Sequence, residues 1–176
     1  MTAHEMATLK LELAITLRLA QRSDLHKLEW YGQFAHFRNL IRRAYQEQLL
    51  GRRLMLVADL NDFPIGQVFI QLVSTNVFIA DGQSRGYLYS FRVMEMFRGH
   101  GIGTRLLLES EHLLQERGFE SAMLSVAKDN EGALRLYRRN GYQVIGDDPG
   151  RWSYIDHRGV TRNVDEPSWM LEKPLV

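Results

Sequence analysis

The sequence predicts an α/β domain with a mixed sheet flanked by helices, and three observations carry that prediction. Short apolar or alternating runs of strand length recur between stretches whose apolar residues fall at helical spacing. The chain has 176 residues, enough for one full hydrophobic core. The stretch from Tyr87 to Arg117 reads as strand, glycine-rich turn and amphipathic helix in direct succession, a unit expected where sheet and helix share a core.

Residues 1–10 show no period and read as a flexible N-terminus, with the domain proper over 11–176. Ile15–Leu19 alternates and reads as the first strand. Ser23-Asp24 then gives an N-cap signal, and helical spacing runs on to Leu50, broken near Gly32 into two helices. The second of these carries Phe34, Phe37, Leu40, Ile41 and Tyr45 on one side. Arg38, Arg42 and Arg43 fall elsewhere and read as a solvated face. Leu54–Ala58 and Gly66–Val73 form a hairpin around a turn at 59–64, and Asp81–Gly86 is a polar loop. The strand from Tyr87 to Val93 follows, then the turn, then a helix ending at Arg117-Gly118, where glycine sits just past the end.

Ser121–Val126 is mostly apolar and reads as a central strand. A short helix over Glu131–Arg139 is closed by Asn140-Gly141, and Tyr142–Ile145 is a further strand. The turn at 147–150 opens a tail containing Trp152, Tyr154 and Trp169, with a final strand near Ser168–Glu172. That tail reads as a hairpin completing the sheet in preference to an aromatic substrate platform.

Composition removes several function classes. A formal net charge of +1 gives no reason to expect nucleic acid or an anionic membrane as partner. The absence of cysteine excludes disulfides, thiolate metal sites and a cysteine nucleophile, and it fits a reducing cytoplasm. No apolar run is long enough to span a bilayer and no signal-peptide pattern is present, so a cytoplasmic location is expected. The histidines His4, His26, His36 and His112 lack ligand spacing, and no metal is predicted.

The chemistry concentrates in Arg98-Gly99-His100-Gly101-Ile102-Gly103. A helix start presents unpaired N–H groups and the positive end of the dipole, so a glycine turn carrying one cation there suits a pyrophosphate. Neither the dinucleotide fingerprint nor the P-loop ending is present. A second constellation, Asn130-Glu131-Gly132-Ala133-Leu134-Arg135-Leu136-Tyr137, places Ala133 and Tyr137 on one helical face, and Gly141-Tyr142 follows. Together these stretches resemble the GCN5-related N-acetyltransferase superfamily. Its Arg/Gln-x-x-Gly-x-Gly/Ala motif is met by Arg98, Gly101 and Gly103; its Asn-x-x-Ala-x-x-x-Tyr motif is met by Asn130, Ala133 and Tyr137.

The resemblance implies a mostly antiparallel central sheet, splayed between the fourth and fifth strands. It implies acetyl-CoA as acyl donor, its pyrophosphate on the amides of Arg98, Gly99, His100, Gly101, Ile102, Gly103 and Thr104, with Asn130 nearby. His100 reads equally as a phosphate contact or a solvent-facing residue. Exposed main chain from Phe91 to Val93 would pair with the pantetheine arm, and an N–H of Val93 or Met94 would polarise the thioester carbonyl. Tyr137 takes the position of the general acid to the departing thiolate, in a direct attack by a primary amine with no acyl-enzyme. Relatives also place a carboxylate base on the strand before Val93; this chain has Tyr89 and Ser90 there, and Glu95 reads as facing solvent. Asp81, Asp156 and His157 lie in loops that could border the cleft, and the base is left unassigned. Alternative readings are an acetyltransferase for peptide or protein N-termini or lysines and, in another class, a non-catalytic acyl-CoA-binding module. Many relatives dimerise through edge strands, which makes a homodimer an open expectation.

Overall fold

The computed structural model describes residues 7–175. Of the expected loose terminus, residues 1–6 lie outside the described residues, and 7–14 form neither helix nor strand. Nine strands and three α-helices follow: β1 (Thr16–Leu19), α1 (Arg38–Leu49), β2 (Arg53–Leu60), β3 (Phe63–Gln71), β4 (Arg85–Val93), α2 (Ile102–Gln115), β5 (Ser121–Ala127), α3 (Glu131–Arg139), β6 (Gln143–Asp148), β7 (Arg151–Ile155), β8 (Thr161–Asp165) and β9 (Ser168–Pro174).

Seven strands make one sheet in the order β1-β2-β3-β4-β5-β9-β6. All neighbours are antiparallel except β4 and β5, which run parallel. The hairpin β2–β3 turns at Asn61-Asp62, both with positive φ (50° and 62°), the backbone that matches strand twist in a two-residue turn. The strands therefore run closer to the turn than composition implies.

The parallel contact is short, pairing Arg85–Leu88 with Ser121–Leu124 and going no further, so β4 beyond Leu88 loses its neighbour on that side. A bulge in the same stretch explains the parting. Register slips between Gln67 and Phe69 of β3, Ser90 adopts φ 52°, and Gln67 Nε2 donates to the Ser90 carbonyl (3.0 Å) and hydroxyl (2.9 Å). An extra residue bends the strand and sharpens its twist, which carries β4 away from β5.

Both sheet faces are covered. On one, α2 and α3 bury Leu106, Leu107, Leu114 and Tyr137 against Leu56, Ile70, Leu88 and Leu124. On the other, Leu28, Ile41 and Ala44 pack on Met55, Val57 and Phe69. Gly86, expected in a loop, lies inside β4, and a Cβ there would sit 2.3 Å from Cδ2 of fully buried Leu114. Gly86→Ala should cost about 1–3 kcal/mol through overpacking. Thermal unfolding checks this: a Tm within about 1 °C of the parent would contradict so close a helix approach.

Two expectations are corrected. The predicted first helix is absent: residues 22–37 form three single 3₁₀ turns, and only Arg38–Leu49 is an α-helix. Asp24 does not begin a helix. It accepts the Gln21 N–H (2.7 Å) and a bidentate pair from Arg18 (2.6 and 2.9 Å), which folds the chain back. Trp30, Tyr31 and Gly32 are consecutively left-handed, and the Trp30 indole donates to the Pro64 carbonyl at 2.9 Å. Burying Trp30 overrides helical periodicity. The aromatic tail also departs from expectation, because β7 and β8 form a separate two-stranded sheet while β9 inserts between β5 and β6. The hairpin is held instead to α1, where Asn39 Nδ2 donates to the Asp156 carbonyl (2.8 Å) and Tyr154 lies 5.2 Å from Phe37.

Candidate active site

The chain leaves β4 through a 3₁₀ turn whose last bonds run from Phe97 N–H to Met94 (2.9 Å) and Arg98 N–H to Glu95 (3.1 Å). The next backbone N–H to reach an acceptor is that of Arg105, on the Gly101 carbonyl at 3.0 Å. Among the described residues the N–H groups of 99–104 have no acceptor. Gly99 (φ 77°) and Gly101 (φ 82°) supply the left-handed turns that gather these donors, and Gly101 is the N-cap of α2. Ile102 contributes only its N–H, since its side chain belongs to the core.

Arg98 Nε donates to the Val93 carbonyl at 2.9 Å, and its terminal nitrogens have no partner among the described residues. His100 is exposed; its Nδ1 lies 2.8 Å from the Arg98 carbonyl, so the ring fastens the turn from within. Met94 N–H is spent on the Ile65 carbonyl at 2.8 Å, which corrects the expected choice of donors. Strand N–H groups alternate in direction, so Val93 N–H points away from β3, into the parted region.

Gly103 lies where three elements converge: a Cβ there would be 3.8 Å from both Leu136 of α3 and Phe91 of β4. Phe91 in turn lies 6.1 Å from the Tyr137 ring. Tyr137 is 7% exposed, and its hydroxyl bonds to no described residue. Burial raises its pKa, and the Tyr87 phenol beside it acts in the same direction, so the group stays protonated near neutrality and is available as a proton donor, not a base. Asn130 does not open onto the turn through its oxygen: Oδ1 accepts the Ala133 N–H at 3.1 Å and caps α3. Asn130→Ala should therefore destabilise the protein by about 1 kcal/mol, read by denaturant titration, in addition to any effect on cofactor affinity.

Of the six groups considered as bases, Tyr89, Ser90, Asp81 and Asp156 are committed to other partners, whereas His157 Nδ1 is buried with no partner among the described residues. The Tyr89 hydroxyl accepts from Arg53 Nη1, and burial raises its pKa against the opposing pull of that guanidinium. The Ser90 hydroxyl accepts from Gln67. Burial would raise the Asp81 carboxyl, but the Ser84 hydroxyl and the N–H groups of 83–85 hold it well below its usual range. Asp156 is held at about 2, foremost by the Val160 N–H and then by Arg162 and the Arg158 N–H. Glu95 is exposed.

The sequence reading missed three residues that meet at the parted edge. Ser125 Oγ donates to Asp148 Oδ2 at 3.0 Å, and Ser125 contacts the Tyr87 hydroxyl, which influences Tyr137. A serine inside the apolar run Ser121–Ala127 is the only local signal for this chain of contacts. Arg92, the sole charge in β4 after Arg85, was likewise passed over.

Comparison with known proteins agrees with this geometry. The family model described as "Acetyltransferase (GNAT) family" matches residues 19–142. N-alpha-acetyltransferase 30 of Schizosaccharomyces pombe is 34% identical over 58 residues, which is 33% of this chain and 39% of that protein. Mycothiol acetyltransferase of Propionibacterium freudenreichii is 36% identical over 76 residues, 43% of this chain and 24% of that protein. The chain thus spans well under two thirds of these curated relatives. Ard1 from Thermoplasma volcanium shares the fold with TM-score 0.72 at 18% identity, covering 93% of this chain and 99% of that one. Arabidopsis thaliana NAA60, solved with acetyl-CoA, does so with TM-score 0.68 at 18% identity, covering 92% and 98%. The parted parallel strands, the donor-rich turn and the matched sequence model lead to one assignment: the chain belongs to the acetyltransferase (GNAT) family.

Proposed function

We propose that the protein is an acetyl-CoA-dependent N-acetyltransferase that acetylates a primary amine by direct attack. The observation that carries this reading is the run of unpartnered N–H groups at 99–104, in a turn that meets β4 and α3 beside the free hydroxyl of Tyr137. Acetyl-CoA supplies the thioester and, on transfer, a thiolate leaving group. The N–H groups of 99–104 and the free nitrogens of Arg98 hold its pyrophosphate. The open side of β4 from Phe91 to Val93 pairs with its amide-bearing arm, and Val93 N–H polarises the carbonyl. Tyr137 donates a hydrogen bond to the developing thiolate and passes its proton as the thiol forms; the proton that the amine nitrogen loses as the amide forms leaves to water, and an equivalent proton from water restores the phenol. Burial that raises the phenol raises a thiol in the same place, so the match between them is kept.

The acceptor is best read as an α-amine. The strand positions where a carboxylate base was expected carry Tyr89 and Ser90, and Asp148 connects toward Tyr137 through Ser125 and Tyr87. At neutral pH about one α-amine in ten is unprotonated, against roughly one lysine in a thousand. A site with an indirect base works far better on the former. Thiol release on mixing the protein, acetyl-CoA and an amine panel tests the proposal. Release with α-amines and much less with lysine side chains is the expected pattern. Saturable acetyl-CoA binding with no release from any amine would leave a non-catalytic acyl-CoA-binding module.

A further inference from the structure

Arg92 stands on the sheet face opposite the cofactor turn. Its neighbour Phe91 points toward Tyr137 and α2, whereas Arg92 packs on Phe34, Trp30 and Phe37, with ring centroids 3.7, 5.6 and 5.7 Å from its guanidinium carbon. The bulge at Ser90 sets this phase, leaving Tyr89 and Arg92 together on the α1 side. All three guanidinium nitrogens are buried, and none has an acceptor among the described residues. Aromatic faces attract the cation from above and below but take none of its in-plane N–H bonds. Directly across the ladder is Gln67, 0% exposed; its Nε2 is used on Ser90 and its Oε1 has no donor. Burial pushes the guanidinium pKa down to about 10, with no acidic group opposing it. A buried fork of donors and a buried acceptor without partners are expensive unless a ligand uses them.

Position says which ligand. The cofactor turn lies on the α2–α3 face, so the amine must approach the parted strands from the α1 face, where Arg92 sits. Resting on the acetyl-transfer reading above, we propose that the acceptor amine carries a carboxylate near its nitrogen, that Arg92 binds this carboxylate bidentately, and that Gln67 Oε1 accepts a further N–H of the same molecule. Phe34, half-buried, covers the guanidinium. A carboxylate therefore reaches the buried fork only by displacing the Phe34 ring, a movement the proposal requires.

The test uses the full chain and matched amines. An aspartyl dipeptide amide against its asparaginyl twin, and a glutamyl dipeptide amide against its glutaminyl twin, compare a carboxylate with a neutral amide at two distances from an α-amine. In the parent, kcat/KM should favour the carboxylate member of at least one pair by about tenfold or more. Arg92→Met should bring that ratio within about twofold of unity, and Arg92→Lys should keep a weaker preference because it retains charge without the fork. Tryptophan fluorescence titrated with succinate gives a readout apart from turnover: a saturable change in the parent, absent in Arg92→Met. Equal rates within both pairs, together with no response to succinate, would overturn the carboxylate site while leaving acetyl transfer intact. Succinate binding that depends on Arg92, without thiol release from any amine, would keep the site and overturn the transfer reading. A structural arginine would show itself as a lowered Tm in Arg92→Met with the amine ratio unmoved. Should Arg92→Met not fold, Arg92→Lys alone decides, through its ratio and its succinate affinity.

Discussion

Tyr137→Phe is expected to lower kcat by about 10²–10³-fold while acetyl-CoA affinity stays within about twofold, the range general acid catalysis contributes. The substitution is unusually clean here. The hydroxyl bonds to no described residue, so removing it breaks no structural contact, and the ring keeps its packing against Phe91 and Tyr142 (6.1 and 6.0 Å). Stability should accordingly change little, in contrast to substitutions that strand a buried partner. Single-turnover thiol release, with cofactor affinity measured separately, distinguishes the outcomes. A rate equal to the parent would remove Tyr137 from the chemistry and return it to a packing role beneath α3. Because burial holds the phenol protonated well past neutrality, any alkaline limb in the pH–rate profile should belong to another group.

Gly101→Val should weaken acetyl-CoA binding by at least about 100-fold, since several charge-assisted bonds depend on one backbone conformation and each contributes about 1.5–3 kcal/mol. Gly101 holds φ 82°, where a β-branched residue is strained, while space around it is open: a Cβ would meet nothing within 4 Å. The loss is therefore conformational and local. α2 remains anchored by Leu106, Leu107 and Leu114, so the variant should fold with a small decrease in Tm. Gly103 makes the complementary case. Its backbone is ordinary and a Cβ would make normal contacts with Leu136 and Phe91, so Gly103→Ala should be tolerated by the fold and Gly103→Leu should fill the wedge beside the cofactor arm. Calorimetric titration with acetyl-CoA checks both. Parent-like affinity in Gly101→Val would mean the turn does not hold the pyrophosphate.

What could be read from the chain beforehand follows a physical division. Arg98–Gly103, the start of α2, the cap at Asn130 and the helical register of Ala133 and Tyr137 all depend on residues within about a turn of one another, and local chemistry specifies them. Residues 22–37 failed as helices because the indole of Trp30 reaches Pro64 and the carboxylate of Asp24 turns back to Arg18, contacts that no periodicity contains. The final hairpin was misplaced for a similar reason. Its position depends on Asn39 of α1 meeting the backbone of Asp156, more than a hundred residues away in sequence.

The glycine turn, its orphan donors and the facing tyrosine were therefore determined by the sequence itself, because backbone conformation at Gly99 and Gly101 and the spacing along α3 are local properties. The opening beside them was decided by tertiary structure. Gln67, reaching from β3 to Ser90, creates the bulge; the bulge parts β4 from β5 beyond Leu88 and turns Arg92 beneath Phe34. Strand register across a sheet is set by partners distant in sequence, and a one-residue slip exchanges the two faces. That is why the glycine turn could be read from the chain, and the face that carries Arg92 could not.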